Sequence, residues 1–327
     1  MSPARVLRSV LVVAAASIAV LGNPVSAQKY PTKPIRLVIG FPPGGSSDVV
    51  GRTVADGARE VLGQPMVVEN VGGAGGNIGM ARAAKAPPDG YTLALCTIGT
   101  CAINPSIYSS PGYDLKKDYA PVFLVGGVMN IFTVHPSMPV KTIKEFVAQA
   151  KANPGKIPMA IGGIGSSNHL TPVWFANIAG LSMLWVPFKG SGDSITALMG
   201  GEVVAFVDNE PSILPHIQSK RVRALSVTGP KRSSHLPDVP TMIESGYKGF
   251  VVEPWFGFQV PAGTPAAVIQ TLNQAFNQAV QNPRVSKRLE ESGLRVIGGP
   301  PERLGEQIAS ESARWAKVVK DNNIKAD

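Results

Sequence analysis

The sequence predicts an α/β protein of two lobes, each a mostly parallel β-sheet flanked by helices. Apolar runs of strand length alternate with amphipathic helical patterns through most of the chain, an order typical of parallel sheets covered by helices. Two long extended runs, near residues 120–134 and 249–262, interrupt this alternation, and we expect the chain to cross between the lobes there. The 327 residues suffice for two domains of ~150 residues each.

Residues 1–27 have the three-part pattern of a secretory signal peptide. Arg5 and Arg8 precede the apolar core "VLVVAAASIAVLG", and the small residues Val25 and Ala27 follow it. A membrane anchor is the alternative, but the apolar run is shorter than the ~20 residues that a span requires. We therefore expect cleavage after Ala27 and export to the periplasm.

The elements of the first lobe follow in order. "IRLVIGF" (35–41) is predicted as a buried strand, and the helix 47–62 follows with Val50, Val54, Ala58 and Val61 on one face. A strand at 66–70 completes a βαβ unit, whose crossover we expect to be right-handed. The helix "NIGMARAAKA", the strand "YTLALCT" (91–97) and a loop-rich stretch to residue 119 come next.

The second lobe begins with a helix whose Thr142 and Glu145 form a capping box. Further elements are predicted as strands at 157–162, 183–188, 203–208 and 222–228 and helices at 167–179, 193–199 and after Pro211. The chain then returns to the first lobe for its last helices, near 265–281, 284–292 and 301–322. This order predicts a discontinuous first lobe, residues 28–128 plus 254–327, and an inserted second lobe, residues 129–253.

Composition excludes several classes of function. The formal net charge is +9, but no basic run interleaved with aromatic residues indicates nucleic-acid binding. The histidines fit no metal-ligand spacing, and the glycine-rich "VGGAGGNIG" has Ile78 where the last glycine of a dinucleotide-binding motif would stand. We expect no metal and no cofactor. The two cysteines, Cys96 and Cys101, are free to form a disulfide after export, but the sequence leaves their pairing open.

Three strand–helix junctions are rich in glycine and serine. They are Gly44-Gly45-Ser46-Ser47-Asp48, Gly165-Ser166-Ser167-Asn168-His169 and Lys189-Gly190-Ser191-Gly192. Ligands of open α/β sheets bind beyond the carboxyl ends of strands, where helix N-termini present unpaired N–H groups to anions. Each junction alone is also an ordinary helix cap. Because the three are divided between two lobes, they predict a cleft that grips an anion from both sides.

Several side chains near these junctions have two interpretations. Ser166 and His169 suggest a nucleophile and base, but no GxSxG elbow exists, and a cap or ligand contact is the simpler reading. Asp208, at the end of an apolar strand, either meets a ligand ammonium group or accepts bonds from nearby N–H groups. Asp48 complements a helix dipole or holds water, and Lys189 is a solvated lysine or a ligand clamp.

The motifs "IRLVIGFPPGGSSDVV", "VVENVGGAGGNIGMARAAKAPPDGYTL", "GSSNHL", "VPFKGSGDSITALMGGEVVAFVDN" and "WFGFQVPAGTP", in this order, resemble the Bug family, the substrate-binding proteins of tripartite tricarboxylate transporters. The resemblance extends from Tyr30 to the C-terminus. It implies a periplasmic two-lobed "Venus flytrap", a non-enzymatic monomer, that captures a small carboxylated solute and delivers it to the membrane subunits of a transporter. A ligand-sensing partner and a secreted serine hydrolase are the alternatives.

The resemblance also implies which residues touch the ligand. They are Phe41, Gly44, Gly45, Ser46, Asp48, Thr97 and Thr100 in the first lobe, and Gly165, Ser166, Ser167, His169, Lys189, Gly190 and Asp208 in the second. The chain departs from the family pattern in three places. Phe188 stands where a tyrosine is common, Glu253 and Pro254 precede "WFG", and Cys101 replaces an apolar residue.

Overall fold

The computed structural model describes residues 30–325, so the expected signal peptide at 1–27 lies outside the described residues. The strands are β1 (Ile35–Ile39), β2 (Met66–Asn70), β3 (Thr92–Thr97), β4 (Tyr119–Gly127), β5 (Asn130–Val134), β6 (Pro158–Gly162), β7 (Leu184–Phe188), β8 (Ala205–Asn209), β9 (Arg223–Val227), β10 (Trp255–Pro261) and β11 (Arg295–Val296). The helices are α1 (Ser46–Leu62), α2 (Asn77–Ala84), α3 (Asn104–Ile107), α4 (Leu115–Asp118), α5 (Ile143–Ala152), α6 (Ser167–Ala179), α7 (Ser191–Gly200), α8 (Glu210–Gln218), α9 (Ala266–Gln281), α10 (Pro283–Glu291) and α11 (Glu302–Asp321). Alternating strands and helices were predicted, and they are found.

The strands form two sheets. The first has the order β11-β4-β10-β3-β1-β2, and the second has the order β7-β6-β8-β5-β9. Most strands of each sheet run in one direction, as predicted, but both sheets are mixed. β10 lies antiparallel to β3 and β4, and β5 lies antiparallel to β8 and β9. Both strands come directly from the other sheet, without the helical crossover that parallel neighbours require.

The two crossings between the sheets lie side by side. β4 leads into β5 through Val128 and Met129, and the return from β9 to β10 passes through residues 228–254. Val128 N donates to Pro254 O at 2.8 Å, and Thr228 N donates to Asn130 O at 3.0 Å. These bonds join the two crossings, and we refer to the joined pair as the paired hinge.

Local packing follows the sequence pattern in most places. On α1, Val50, Val54 and Ala58 are fully buried, whereas Val61, near the end of the helix, is 42% exposed. The Thr142 hydroxyl accepts from Glu145 N at 3.1 Å, which is one half of the predicted capping box of α5. The Glu145 carboxylate accepts from Lys141 N at 2.6 Å, one residue before the expected donor.

The stretch from 98 to 118 is more ordered than its loop-like composition suggested. It contains a π-helical turn at Gly99–Ile103 and the four-residue helices α3 and α4. Helices of this length are too short to show hydrophobic periodicity. The turn also brings Cys101 back to β3, where a disulfide joins it to Cys96. The pairing that the sequence left open is therefore formed.

Candidate functional site

Four helices begin around one small cavity between the two sheets. They are α1, α6, α7 and α8, of 17, 13, 10 and 9 residues. Each follows the carboxyl end of a strand, and within the described chain no N-cap side chain of the four accepts a hydrogen bond from its helix's first turn. Aligned peptide dipoles place a partial positive charge at each N-terminus, so the four starts together favour an anion in the cavity.

The cavity contains no charged lining residue among those the structure describes. Its polar lining residues are Ser46, Ser47, Thr97, Ser166, Ser167, Asn168, Ser191 and Asn209. Hydroxyl and amide side chains both donate and accept hydrogen bonds, and glycine exposes backbone N–H groups beside them. The arrangement can therefore hold an anion with neutral donors and helix dipoles, and without a cationic clamp.

The first-lobe loop is held by Asp48 from outside the cavity. The Asp48 carboxylate accepts from Gly44 N at 3.3 Å, Arg52 Nε at 2.8 Å and Asn70 Nδ2 at 3.0 Å. Gly44 has a φ of +86°, which a residue with a side chain rarely adopts, whereas Gly45 is extended with a φ of −87°. Asp48 thus supports the turn that presents Gly45 and its neighbours to the cavity.

In the second lobe, Ser166 and His169 each bond to the backbone of their own loop. The Ser166 hydroxyl lies 2.9 Å from Gly162 O and 2.7 Å from Gly163 O, and it donates to these carbonyls. The Gly165 N–H donates to His169 Nδ1 at 3.2 Å. Burial lowers the pKa of His169 to about 4, so the imidazole is neutral at pH 7 and can accept this bond. Both side chains therefore shape the loop that starts α6.

Asp208 lies fully buried behind the cavity wall. Its Oδ1 accepts from Asn168 Nδ2 at 2.6 Å, Ser191 Oγ at 2.8 Å and Asn209 N at 2.8 Å. Its Oδ2 accepts from Ser212 Oγ at 2.7 Å. Burial raises the pKa of Asp208 to about 6, and the hydrogen bonds partly oppose that rise. The carboxylate orients Asn168 and Ser191, which line the cavity, and it has no lining position of its own.

The two lobes touch around the cavity. Ser46 Oγ lies 2.8 Å from Ser212 Oγ, in a buried hydrogen bond between α1 and α8. A Cβ placed on Gly190, at the start of α7, would lie 3.2 Å from Pro42 Cδ. The cleft is therefore closed in this structure, and Ser212 links Asp208 of one lobe to Ser46 of the other.

The other expected ligand contacts have different surroundings. The Thr97 hydroxyl lies 3.3 Å from that of Thr100, and each hydroxyl accepts from the other residue's backbone N–H. Thr97 lines the cavity, whereas Thr100 is fully buried and holds the turn after β3. Lys189 is exposed and lines a second chamber at the mouth of the cleft.

The structure thus divides the sequence-predicted residues into two groups. Those that line the cavity are Phe41, Gly45, Ser46, Thr97, Ser166 and Ser167. The others do not line the cavity and lie behind its wall, in the supporting loops or at its mouth. They are Gly44, Asp48, Thr100, Gly165, His169, Lys189, Gly190 and Asp208.

Trp255 and Asn209 line the cavity but are not among the expected ligand contacts. Of the two, the sequence indicated only Trp255, in the second extended run, as able to face the cleft. Trp255 is 1% exposed, and its Nε1 has no hydrogen-bond partner within residues 30–325. Buried indole N–H groups are normally paired, so a ligand oxygen is a suitable acceptor here. Asn209 is the N-cap residue of α8, and its side-chain oxygen accepts from Asn130 Nδ2 at 2.7 Å and Ser167 Oγ at 3.3 Å. Its position at the end of a strand and directly before a helix was the signal available in the sequence.

Neither a metal nor a membrane span is indicated for residues 30–325. No group of three or more histidine, cysteine, aspartate or glutamate residues in this range could hold a metal ion. No helix in the same range combines the length and the apolar character needed to cross a bilayer.

A model of the family described as "Tripartite tricarboxylate transporter family receptor" matches residues 50–324. The chain is 39% identical over 306 residues to Protein BugT of Bordetella pertussis, covering 93% of this chain and 94% of that protein. It is also similar to the solved structure of the periplasmic binding protein BugD, with 36% identity and a TM-score of 0.88, over 90% of this chain and 99% of that one. A structure of R. palustris Rpa4515 with adipate matches with 33% identity and a TM-score of 0.88 over the same shares. The predicted two-lobed α/β fold is confirmed.

Proposed function

The chain belongs to the tripartite tricarboxylate transporter receptor family, and on that premise we propose that it captures a small carboxylated solute between its lobes and delivers it to a transporter. Proteins of this family are periplasmic solute-binding receptors, as the resemblance in the sequence implied. A related protein has been solved with adipate, a carboxylate, which supports the proposed class of ligand.

The observation that carries the proposal is the convergence of four helix N-termini on a cavity lined by no charged side chain among the described residues. A carboxylate there would receive charge-assisted hydrogen bonds from backbone and hydroxyl donors, each worth about 1.5–3 kcal/mol. We assign donor contacts to Gly45, Ser46 and Ser167, with Trp255 as a further donor. Ser166 lines the cavity beside the ligand, but its hydroxyl and its N–H both donate to carbonyls of its own loop.

Binding is proposed to act through closure of the lobes. We take these as residues 28–128 with 254–327 and residues 129–253, which meet at the paired hinge. The ligand stabilises the closed form because it bonds to helix starts of both lobes at once. The role requires no catalytic step, and Ser166 and His169 serve the loop that holds the ligand.

The experiment is a thermal-shift screen of carboxylates beside their neutral amides, such as benzoate with benzamide and hexanoate with hexanamide. A ligand that binds only the native state at 100 times its Kd stabilises it by about 2.7 kcal/mol. We expect carboxylates to raise the Tm and their amides to leave it unchanged. Amides that act as well as the acids, or an absence of any response to carboxylates, would contradict the proposal.

Tryptophan fluorescence provides a second readout. Of the four tryptophans, Trp255 lines the cavity, so a ligand that raises the Tm should also change the emission. The Trp255→Phe variant should lose this change and bind more weakly, because the indole N–H is removed. Trp185→Phe, a substitution of a half-buried residue that does not line the cavity, is the matched control.

A further inference from the structure

The cavity at the helix N-termini is too small for a whole solute of ordinary size. Its volume is about 40 Å³, room for about three water molecules at 10–15 Å³ each. A carboxylate group, with its three heavy atoms, fills a space of this order. The rest of any larger ligand must therefore lie elsewhere when the lobes are closed as in this structure.

A second chamber of about 590 Å³ adjoins the cavity at the mouth of the cleft. The two spaces share Phe41 and Pro42 as lining residues. Gly163 lines the second chamber, and a Cβ placed on it would lie 3.9 Å from Ser166 Oγ in the cavity wall and 4.0 Å from the Phe41 ring. Ser166 in the cavity wall and Gly163 in the wall of the second chamber are thus neighbours, and the two spaces lie side by side.

The second chamber is lined mainly by apolar groups from both lobes. Phe41 and Pro42 belong to the first lobe, and Ile164, Pro187 and Phe188 belong to the second. Ile164 is 37% exposed. Exposed apolar clusters in a cleft commonly mark a binding surface. Burying a hydrocarbon here removes apolar area of both ligand and protein from water.

We propose that the ligand is a carboxylate with an apolar tail, whose head occupies the helix-start cavity and whose tail lies in the second chamber. This inference rests on the proposed function and adds the class of the tail. Each buried methylene should tighten binding about three- to fourfold.

Lys189 lines the same chamber and is its one charged residue within the described range. Its side chain is exposed, and a pair between exposed charges contributes little to affinity. A second carboxylate would also have to enter an apolar chamber, with a loss of hydration that this pairing would not offset. The tail therefore ends without a charge.

The test is calorimetry with acetate, hexanoate and adipate at fixed ionic strength. We expect hexanoate to bind at least tenfold more tightly than acetate, and adipate to bind no more tightly than hexanoate. The Ile164→Ser variant should weaken hexanoate binding at least threefold and leave acetate binding unchanged. Ile178→Ser is the matched control, because Ile178 is 50% exposed and lines neither space.

Each other outcome overturns the inference in its own way. Equal affinity for acetate and hexanoate would show that the tail makes no contact, while the proposed function would stand. Adipate binding tenfold more tightly than hexanoate, with the preference lost in Lys189→Met, would replace the apolar tail by a second carboxylate. Failure of all three acids to bind, together with a negative carboxylate screen, would remove the proposed function and this inference with it.

Discussion

Replacing Asp208 by asparagine should change how the stability of the protein depends on pH. The substitution keeps the Oδ1 acceptor for Asn168, Ser191 and the backbone N–H of Asn209. The new amide nitrogen would face Ser212 Oγ and would donate a hydrogen bond to it. The Ser212 hydroxyl, which donates to Asp208 Oδ2 in the wild type, can then donate to Asn209 O, 3.0 Å away. The variant therefore keeps four hydrogen bonds of the buried network without a charge, and we expect it to fold.

The magnitude follows from the pKa of Asp208, which burial raises from 3.8 to about 6. Between these values the folded protein holds a proton that the unfolded chain has released. The contribution of Asp208 to the free energy of unfolding is thus fully present below pH 3.8 and is lost as pH rises through about 6. A shift of about two pKa units corresponds to about 3 kcal/mol.

His169 acts in the opposite direction over nearly the same range. Burial lowers its pKa from 6.5 to about 4, so its contribution to stability is present above pH 6.5 and is lost as pH falls toward 4. The two effects partly cancel in the wild-type curve. The difference in free energy of unfolding between wild type and Asp208→Asn reports the Asp208 contribution alone, because both proteins contain His169 and its contribution cancels.

The assay is urea unfolding followed by circular dichroism at pH 4, 5, 6 and 7.5. The stability of Asp208→Asn relative to wild type should increase by about 2.5 kcal/mol from pH 4 to pH 7.5, because a small part of the effect is already lost at pH 4. Asp193→Asn, at an exposed acid of α7, is the control and should differ little from wild type throughout. A difference between wild type and Asp208→Asn that stays constant to within about 0.5 kcal/mol would refute the reasoning.

Three further predictions concern the cleft and the disulfide. Gly45→Pro removes a backbone donor at a φ of −87°, close to the range that proline adopts, so calorimetry should show carboxylate binding weakened about tenfold or more. Gly45→Ala keeps the N–H and should bind normally; equal affinities of the two variants would contradict the role of that N–H. Ser46→Ala and Ser212→Ala should show a coupling of about 1 kcal/mol in a double-mutant cycle of ligand affinity, and additive effects would mean that their bond does not favour closure. Reduction of the Cys96–Cys101 disulfide, which closes a short loop, should lower the free energy of unfolding by about 2 kcal/mol in urea titrations; an unchanged midpoint would show that the bond does not restrict the unfolded chain.

The sequence predicted those parts of the site that depend on local chemistry. Gly45, Ser46 and Ser166 could be located because glycine and serine directly after a buried strand indicate the start of a helix. Trp255 could not be assigned in this way, since its place in the wall depends on how β10 lies against β3 and β4. Asp208 was found at its strand end, but its burial among four donors depends on α6, α7 and α8 together.

The same limit applies to the fold. Alternating periodicity predicted the helices and strands, and the expectation of two crossings between lobes came from the extended runs that interrupt it. The antiparallel direction of β5 and β10 could not be predicted from that pattern, because the side chains of a strand alternate with the same period in either direction. Strand direction depends on topology, and here each of the two strands enters its sheet from the other lobe.

The central position of β10 in the first sheet also determines the order in which the chain can fold during synthesis. All strands of the second sheet lie between residues 130 and 227, so that sheet can form once this stretch has been made. The first sheet needs β10, residues 255–261, between β4 and β3, and it has to wait until that strand has been made. Strands β1, β2 and β3, although made first, can pair only with one another until then. During that interval the edge of β3 that β10 will cover is open to chaperones and to aggregation.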